Sequence, residues 1–301
     1  MEYHNPVLLK QSVDGLEIDP NGIYVDVTFG GGGHSKEILK RLGDGGRLLA
    51  FDQDEEALQN SLDDDRFSLI SGNFKYIKRF LRVHGVSKVN GILADLGVSS
   101  HQFDVAERGF STRFDAFLDM RMDAKSELTA YQIVNTYSEN KLQDILFNYG
   151  ELRNSKGIAK AIVNARFEKP IKTSFDLKEA IKSFVPQSKE HKVMAQIFQA
   201  FRIEVNQELE VLKAFLLQTT DLLVDGGKLS VISYHSLEDR LVKRFFKFGL
   251  FEGEPEKDFY GNFSSPFNKP EKLIVPTSEE IKQNNRARSA KLRIVAKAKN
   301  A

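Results

Sequence analysis

The 301-residue chain contains no cysteine. Without a thiol it can present no catalytic thiolate, no thiolate zinc site and no iron–sulfur cluster held by its own side chains, and it suits a reducing compartment. Long apolar runs are also missing. No segment approaches the roughly 18 consecutive apolar residues of a membrane span, so no membrane partner is expected. The start, Met1-Glu-Tyr-His-Asn-Pro-Val-Leu-Leu-Lys10, lacks the basic-then-apolar signature of an exported precursor, and the expected location is cytoplasmic. Charge of one sign is scarce at the scale of the chain: 43 Lys and Arg face 42 Asp and Glu, for a net charge of +1. A nucleic-acid partner would therefore be met by local patches rather than by the molecule as a whole. The six histidines show no paired ligand spacing, and no metal is expected.

What is present suffices for a large core: 41% of the residues are apolar, enough for one core or for one core and a smaller satellite. The richest stretch is Ile23-Tyr-Val-Asp-Val-Thr-Phe29, followed by Gly30-Gly-Gly-Gly33, His34 and Ser35. A β-branched and aromatic run entering four glycines and then a helical pattern, Ser35 to Leu42, reads as strand, tight turn and helix start. Glycines serve such a turn because the backbone bends sharply and a ligand must approach the peptide NH groups. The next strand, Arg47 to Phe51, ends in Asp52, about twenty residues beyond the glycines, where an acid can accept hydrogen bonds from ribose hydroxyls.

Strand and helix signals then alternate as in a doubly wound sheet. Helices are expected at Glu55 to Ser61 and Tyr76 to Val83, a strand at Phe67 to Ser71, and a buried central strand at Gly91 to Leu96 ending in Asp95. After Ser100 the strands stop. Helical patterns recur at Ala130 to Asn135, Ser138 to Phe147, Ser155 to Phe167, Ser174 to Ser183 and Lys189 to Phe201. The α/β rhythm resumes with a helix from Asn206 to Leu223, the turn Asp225-Gly226-Gly227, a strand Lys228 to Ser233, and a helix Ser236 to Phe246 with Ser236 as its cap. Lys272 to Val275 and Ala290 to Val295 pair as a terminal hairpin in this reading, after a polar loop from Glu252 to Pro270. The fold class is α/β: residues 1–104 and 203–301 form one discontinuous Rossmann-like domain, and 105–202 an inserted all-helical one. Basic residues gather in two stretches, Arg153 to Lys178 and Lys282 to Lys299.

The glycine loop leaves two ligands open. A dinucleotide site wants G-x-G-x-x-G; Gly30 and Gly32 fit, but Ser35 stands in place of the third glycine. A nicotinamide-dependent oxidoreductase is one reading. The same strand, turn and ribose-binding acid serve S-adenosylmethionine, and Asp95 at the carboxyl end of the fourth strand favours it, because a carboxylate there can meet an ammonium or an amine and sits badly beside a pyrophosphate.

Several segments resemble the successive signatures of one bacterial family. These are Asn5-Pro-Val-Leu-Leu9, Asp26-Val-Thr-Phe-Gly-Gly-Gly-Gly-His-Ser35, Asp95-Leu-Gly-Val-Ser-Ser100, Ala106-Glu-Arg-Gly-Phe-Ser111, Leu118-Asp-Met-Arg-Met-Asp123, Phe198-Gln-Ala-Phe-Arg-Ile-Glu-Val-Asn206, Ser233-Tyr-His-Ser-Leu-Glu-Asp-Arg240 and Arg286-Ala-Arg-Ser289. The family is the MraW/RsmH methyltransferases, which modify the N4 amine of a decoding-region cytidine in 16S ribosomal RNA, and the resemblance covers nearly the whole chain. It implies S-adenosylmethionine as methyl donor, a Rossmann-like core with an inserted helical domain that recognises RNA, and 16S rRNA in the small ribosomal subunit as partner. Carried over by position, it implies a donor site at Gly32, Gly33, His34, Asp52, Phe74, Asp95 and Gln102. The glycine NH groups and His34 suit the methionine tail, Asp52 the ribose and Phe74 the adenine face. Taken alone, a phenylalanine such as Phe74 is more often core and an amide such as Gln102 more often a surface residue. Asn285 departs from the family, whose members usually carry proline there.

The missing thiol bears on the chemistry. Methylation of pyrimidine carbon 5 generally needs covalent thiolate attack, so direct transfer to nitrogen or oxygen remains, with in-line positioning as its main requirement. A cytosine amine is a poor nucleophile, and an acceptor for its protons would activate it. The candidates are Asp95, the Ser99 and Ser100 loop, and His235 after the fifth strand. The base itself must be unstacked to be reached. Arg108, Arg113, Arg121 and the C-terminal arginines are candidate phosphate contacts, with Arg121 equally suited to pairing with Asp119 or Asp123. A non-catalytic ribosome-assembly factor would use the same basic patches, and the sequence does not decide between a monomer and a homodimer.

Overall fold

The computed structural model describes residues 6–299. Asn5 of the first motif, and the side chain of Ser100, lie outside the described residues. Two compact units emerge, one built from residues up to Gly97 and from Leu209 onward, the other from Val98 to Glu208.

The first unit is organised by a six-stranded sheet: β1 (Ile23–Asp26), β2 (Arg47–Asp52), β3 (Phe67–Ser71), β4 (Val89–Asp95), β5 (Leu223–Ser233) and β6 (Lys291–Ala296). The order is β3-β2-β1-β4-β5-β6. The first five strands run parallel, and β6 is antiparallel to β5. Side-chain alternation covers both faces, as a parallel sheet requires. Tyr24, Leu48 and Leu93 pack on one face with Ile38 and Leu39 of the helix Gly33–Arg41. Their neighbours Val25, Leu49, Ile92 and Ala94 pack on the other with Ile77, Leu81, Phe215 and Phe245. The chain winds outward from β1 to β3, then crosses back to β4. That reversal leaves a crevice between the carboxyl ends of β1 and β4, the place where open α/β sheets bind ligands.

Several expectations are corrected here. The turn Asp225-Gly226-Gly227 does not separate helix from strand; it is an irregularity inside β5, where Val89 pairs with Leu223 and Gly91 with Lys228. Gly226, at φ 79°, supplies the left-handed residue this needs. The terminal hairpin does not form as expected. β6 takes six partners on β5; along its other edge the segment near Leu273 adds an Ile274–Leu292 bridge and a hydrogen bond from the Glu271 NH to the Ile294 carbonyl, short of a continuous strand. The helix Ser236–Phe248 is capped by His235 rather than Ser236: the His235 ring accepts from the Glu238 NH, and the Glu238 carboxylate accepts from the His235 NH, a reciprocal capping box. Where proline was expected, Asn285 opens a short 3₁₀ turn whose cap is Asn284, its side chain accepting from the Arg286 NH.

The second unit is helical, with helices Ser100–Asp104, Ala130–Thr136, Glu139–Asn148, Ser155–Glu168, Ser174–Ile181 and Glu190–Asn206. Ile133, Leu142, Leu146, Ile158, Ile162, Leu177, Ile197 and Phe201 form its core. Thr129 and Thr173 cap their helices through capping boxes with Gln132 and Asp176. The compact units divide after Gly97 and after Glu208, where the sequence reading placed the divisions after residues 104 and 202. Residue 202 lies within Glu190–Asn206, whose apolar face belongs to this core, and the chain leaves that helix only at Gln207, in the left-handed region at φ 50°. Among the described residues no helix is long and apolar enough to cross a membrane.

Candidate active site

Four acids or polar turns meet at the carboxyl edge of the sheet. β1 ends in Asp26, which is fully buried. Its Oδ2 accepts from the Ser35 hydroxyl at 2.7 Å and its Oδ1 from the Thr28 NH at 3.1 Å. Between Asp26 and Ser35 runs the glycine loop, with Gly30 at φ 53° and Gly32 at φ 75°; a side chain on Gly32 would also strike the Phe29 ring at 2.9 Å. β2 ends in Asp52, whose Oδ2 accepts from the Gly30 NH at 2.8 Å and whose Oδ1 accepts from the Asp54 NH at 2.9 Å. One carboxylate thus braces two loops, and each oxygen keeps acceptor capacity for a hydroxyl. After β3, Phe74 packs edge-on against Phe215 with ring centres 5.3 Å apart. β4 ends in Asp95, whose NH donates to the Thr28 hydroxyl at 2.7 Å, tying the two strands at the switch point.

Asp95 is a strongly perturbed carboxyl. Burial is the main cause and the nearby Glu238 charge adds to it, against a lowering hydrogen bond from Tyr234; together they push it up to about 7. Tyr234, immediately after β5, is itself held well above its ordinary range by burial and by the Asp95 charge, so the phenol is the donor of this bond. The Tyr234 NH in turn donates to Glu238 Oε2 at 2.8 Å. Gly97 leaves room for the phenol: a Cβ there would lie 2.8 Å from the Tyr234 ring. His34 Nδ1 lies 3.9 Å from Asp95 Oδ2. Burial pushes His34 down, against the Asp26 charge and a hydrogen bond to the Val7 backbone, so the ring is neutral and the two are polar neighbours rather than an ion pair. Asp26 is pushed up by burial, with His34 and Ser35 opposing.

Two side-chain atoms of this cluster, His34 Nε2 and Asp95 Oδ1, are buried without a hydrogen-bond partner. Buried polar atoms without partners are costly: a neutral His34 Nε2 suits the carboxylate of an amino-acid tail, and Asp95 Oδ1 is left open for an amine. The donor set therefore fits S-adenosylmethionine: neutral polar groups for the amino-acid tail, a carboxylate for the ribose, and a half-buried aromatic ring for the base.

Of the residues expected from sequence, Gly32, Gly33, His34, Asp52, Phe74 and Asp95 gather at the sheet edge of the first unit. His235 also lies there, but as a helix cap, with Nε2 3.0 Å from Glu238 Oε1. Gln102 and Ser99 belong to the second unit, where they cap the helix Ser100–Asp104. The Ser99 hydroxyl accepts from the Gln102 NH at 3.1 Å, and Gln102 Oε1 accepts from the Ser99 NH at 3.2 Å. Among the arginines, Arg121 is bound by two hydrogen bonds to Asp119, at 2.7 and 2.8 Å, and donates to the Ala124 and Ser126 carbonyls. Arg108 donates to the Arg121 and Met122 carbonyls. Both fasten a loop. Sequence reasoning missed Asp26, Ser35 and Tyr234 as members of the site; the available signal was a single acid inside an otherwise apolar strand, since a fully buried acid is rare without a purpose.

The open sheet reversing between β1 and β4, the glycine loop, the acid at the end of β2 and the partnerless polar atoms define a Rossmann-like methyltransferase that uses S-adenosylmethionine. The sequence profile of the MraW methylase family matches residues 1–298, and the chain belongs to that family. It is 67% identical over 297 residues to the ribosomal RNA small subunit methyltransferase H of Flavobacterium johnsoniae, spanning 99% of this chain and 98% of that protein. It is 63% identical over 297 residues to the protein of the same name from Christiangramia forsetii, with the same coverage. Among solved structures it is similar to an rRNA methylase from Streptococcus thermophilus, at 13% identity and a TM-score of 0.44 over 99% of each chain.

Proposed function

We propose that this methyltransferase acts in the cytoplasm on 16S rRNA of the small ribosomal subunit, transferring a methyl group to the N4 amine of a decoding-region cytidine. The relatives' names support an rRNA acceptor. Nitrogen rather than carbon as the target is supported by the absence of any thiol in the chain, because carbon methylation of a pyrimidine generally begins with thiolate attack.

In this reading S-adenosylmethionine supplies an electrophilic methyl carbon on a good leaving group. The Gly33 NH, with His34, holds its amino-acid tail, and Gly32, whose own NH donates to the Phe29 carbonyl at 2.8 Å, shapes the turn beside it; Asp52 holds the ribose hydroxyls; Phe74 lies against the adenine, and the family pattern adds Gln102. The remaining demand is on the acceptor, whose lone pair is delocalised into the ring. The single observation that carries the assignment is the free Oδ1 of Asp95, on a carboxyl that titrates near 7. Such a group can accept a hydrogen bond from the amine and then take its proton at neutral pH. Ser99 serves this less well, because a hydroxyl is a far weaker base than a carboxylate, and His235 less well because its Nδ1 caps a helix and its Nε2 lies 3.0 Å from Glu238 Oε1.

The test is transfer of labelled methyl from S-adenosylmethionine into small subunits purified from cells lacking this protein, followed by nucleoside analysis. Label in N4-methylcytidine is the expected result, and label in any other nucleoside, or none despite donor binding, refutes the reading. Asp95→Asn is expected to lower turnover at saturating donor by about 10²-fold or more; full turnover in that variant would exclude a carboxylate role.

A further inference from the structure

Five residues of the helical unit form a surface with a chemistry of its own. The segment 113–118 lies against 172–175: the Leu118 NH donates to the Lys172 carbonyl at 3.0 Å, the Ser174 NH to the Ala116 carbonyl at 3.0 Å, and Phe117 bridges Thr173. Ala116, Leu118 and Ser174 are buried here, while Phe114, Phe117 and Phe175 are exposed at 44%, 45% and 50%. Phe117 is further fixed by stacking on Tyr131, at a ring separation of 5.2 Å. Clustered exposed aromatics on a tied-down backbone are uncommon and mark interaction sites.

The charges around them point to the partner. Arg113 and Lys172 are exposed, and among the described residues neither side chain has a carboxylate within ion-pair distance. The nearby acids are engaged. Asp115 accepts from the Phe175 NH at 3.2 Å; Asp176 accepts from the Lys172 and Thr173 NH groups and pairs with Lys169 at 3.3 Å. Flat apolar rings flanked by exposed cations match a polyanion with flat apolar bases. We propose that Arg113, Phe114, Phe117, Lys172 and Phe175 are a docking surface for unstacked bases and phosphates of a single-stranded RNA segment. This rests on the reading of the acceptor as RNA, and extends it from the reacting base to the strand that carries it.

The chain contains no tryptophan, so Phe175→Trp places a lone indole on the surface. Titration of that variant with a short single-stranded oligoribonucleotide is expected to quench its fluorescence by stacking. Phe259→Trp, at a 97% exposed position of the other unit, is expected to stay unquenched, as is Phe175→Trp titrated with heparin, a polyanion without bases. Equal quenching of both variants, or none in Phe175→Trp, overturns the proposal. In parallel, Phe114→Ala with Phe175→Ala is expected to raise KM for small subunits about tenfold or more, with kcat and donor affinity unchanged; an unchanged KM in a folded variant also overturns it. If wild-type methyl transfer to N4 fails while Phe175→Trp is quenched, the acceptor assignment falls and the surface stands. If transfer succeeds and quenching fails, the reverse holds.

Discussion

Asp95 keeps its proton to about pH 7, and that has a consequence for stability with a definite sign. In the unfolded chain the same carboxyl ionises near 3.8. Between about pH 4 and pH 7 the folded protein therefore holds a proton that the unfolded chain has released, so this group's contribution falls as pH rises and the penalty is complete above 7. About a fifth of the side chain is accessible, which moderates the cost to roughly 2–4 kcal/mol. Asp95→Asn removes it, and the variant's melting temperature relative to the parent is expected to climb between pH 4 and 7, measured by thermal denaturation across that range. Tyr234 acts on the same group in the opposite sense, donating to its ionised form. Tyr234→Phe removes a charge-assisted bond of the kind worth about 1.5–3 kcal/mol. The acidic limb of the pH–kcat profile is expected to move up by about one unit, while an unmoved limb with lower kcat would mean that the phenol only packs.

At the scale of elements, Asp26 and Ser35 join the end of β1 to the first turn of the helix Gly33–Arg41, across the glycine loop. Ser35→Ala leaves a buried carboxyl oxygen of Asp26 without its 2.7 Å donor, and is expected to cost about 1–3 kcal/mol in denaturant unfolding and to weaken donor affinity with little effect on turnover of the saturated enzyme. Much of this architecture is legible in the chain. Pairs such as Leu48 and Leu49 announce a strand covered on both faces, and Asp52 and Asp95 stand out because each closes an apolar run. What escapes is whatever depends on neighbours remote in sequence. Tyr234 and Glu238 reach Asp95 only because β5 pairs with β4, and more than a hundred residues separate those strands. The same holds for β6, which pairs along its length with the distant β5 and only in part with the nearer segment at Ile274. Helix ends escape for a different reason: the break at Gln207 uses a non-glycine residue in the left-handed region, which carries no local signature, and a histidine is not among the usual caps.

The whole molecule carries a net charge of only +1, which bounds how it meets a polyanion. Affinity rests on a few local phosphate contacts, so the dependence of RNA binding on salt should be shallow. For single strands each contact contributes roughly 0.7 to the slope of log K against log salt. Lys172→Gln is expected to reduce that slope by about this amount, read from binding titrations at several salt concentrations; an unaltered slope would remove Lys172 from the contact. The order of the strands also sets a schedule for the molecule's birth. On a ribosome, β1 to β4 emerge first, but β4 must wait with one edge unpaired until β5 follows, after the helical unit has been made. That unit is continuous in sequence and closes its core with nothing further to come. The segment enclosed in the sequence is thus expected to be complete before the unit that encloses it, and Asp95 acquires its phenol partner only once Tyr234 has been synthesised.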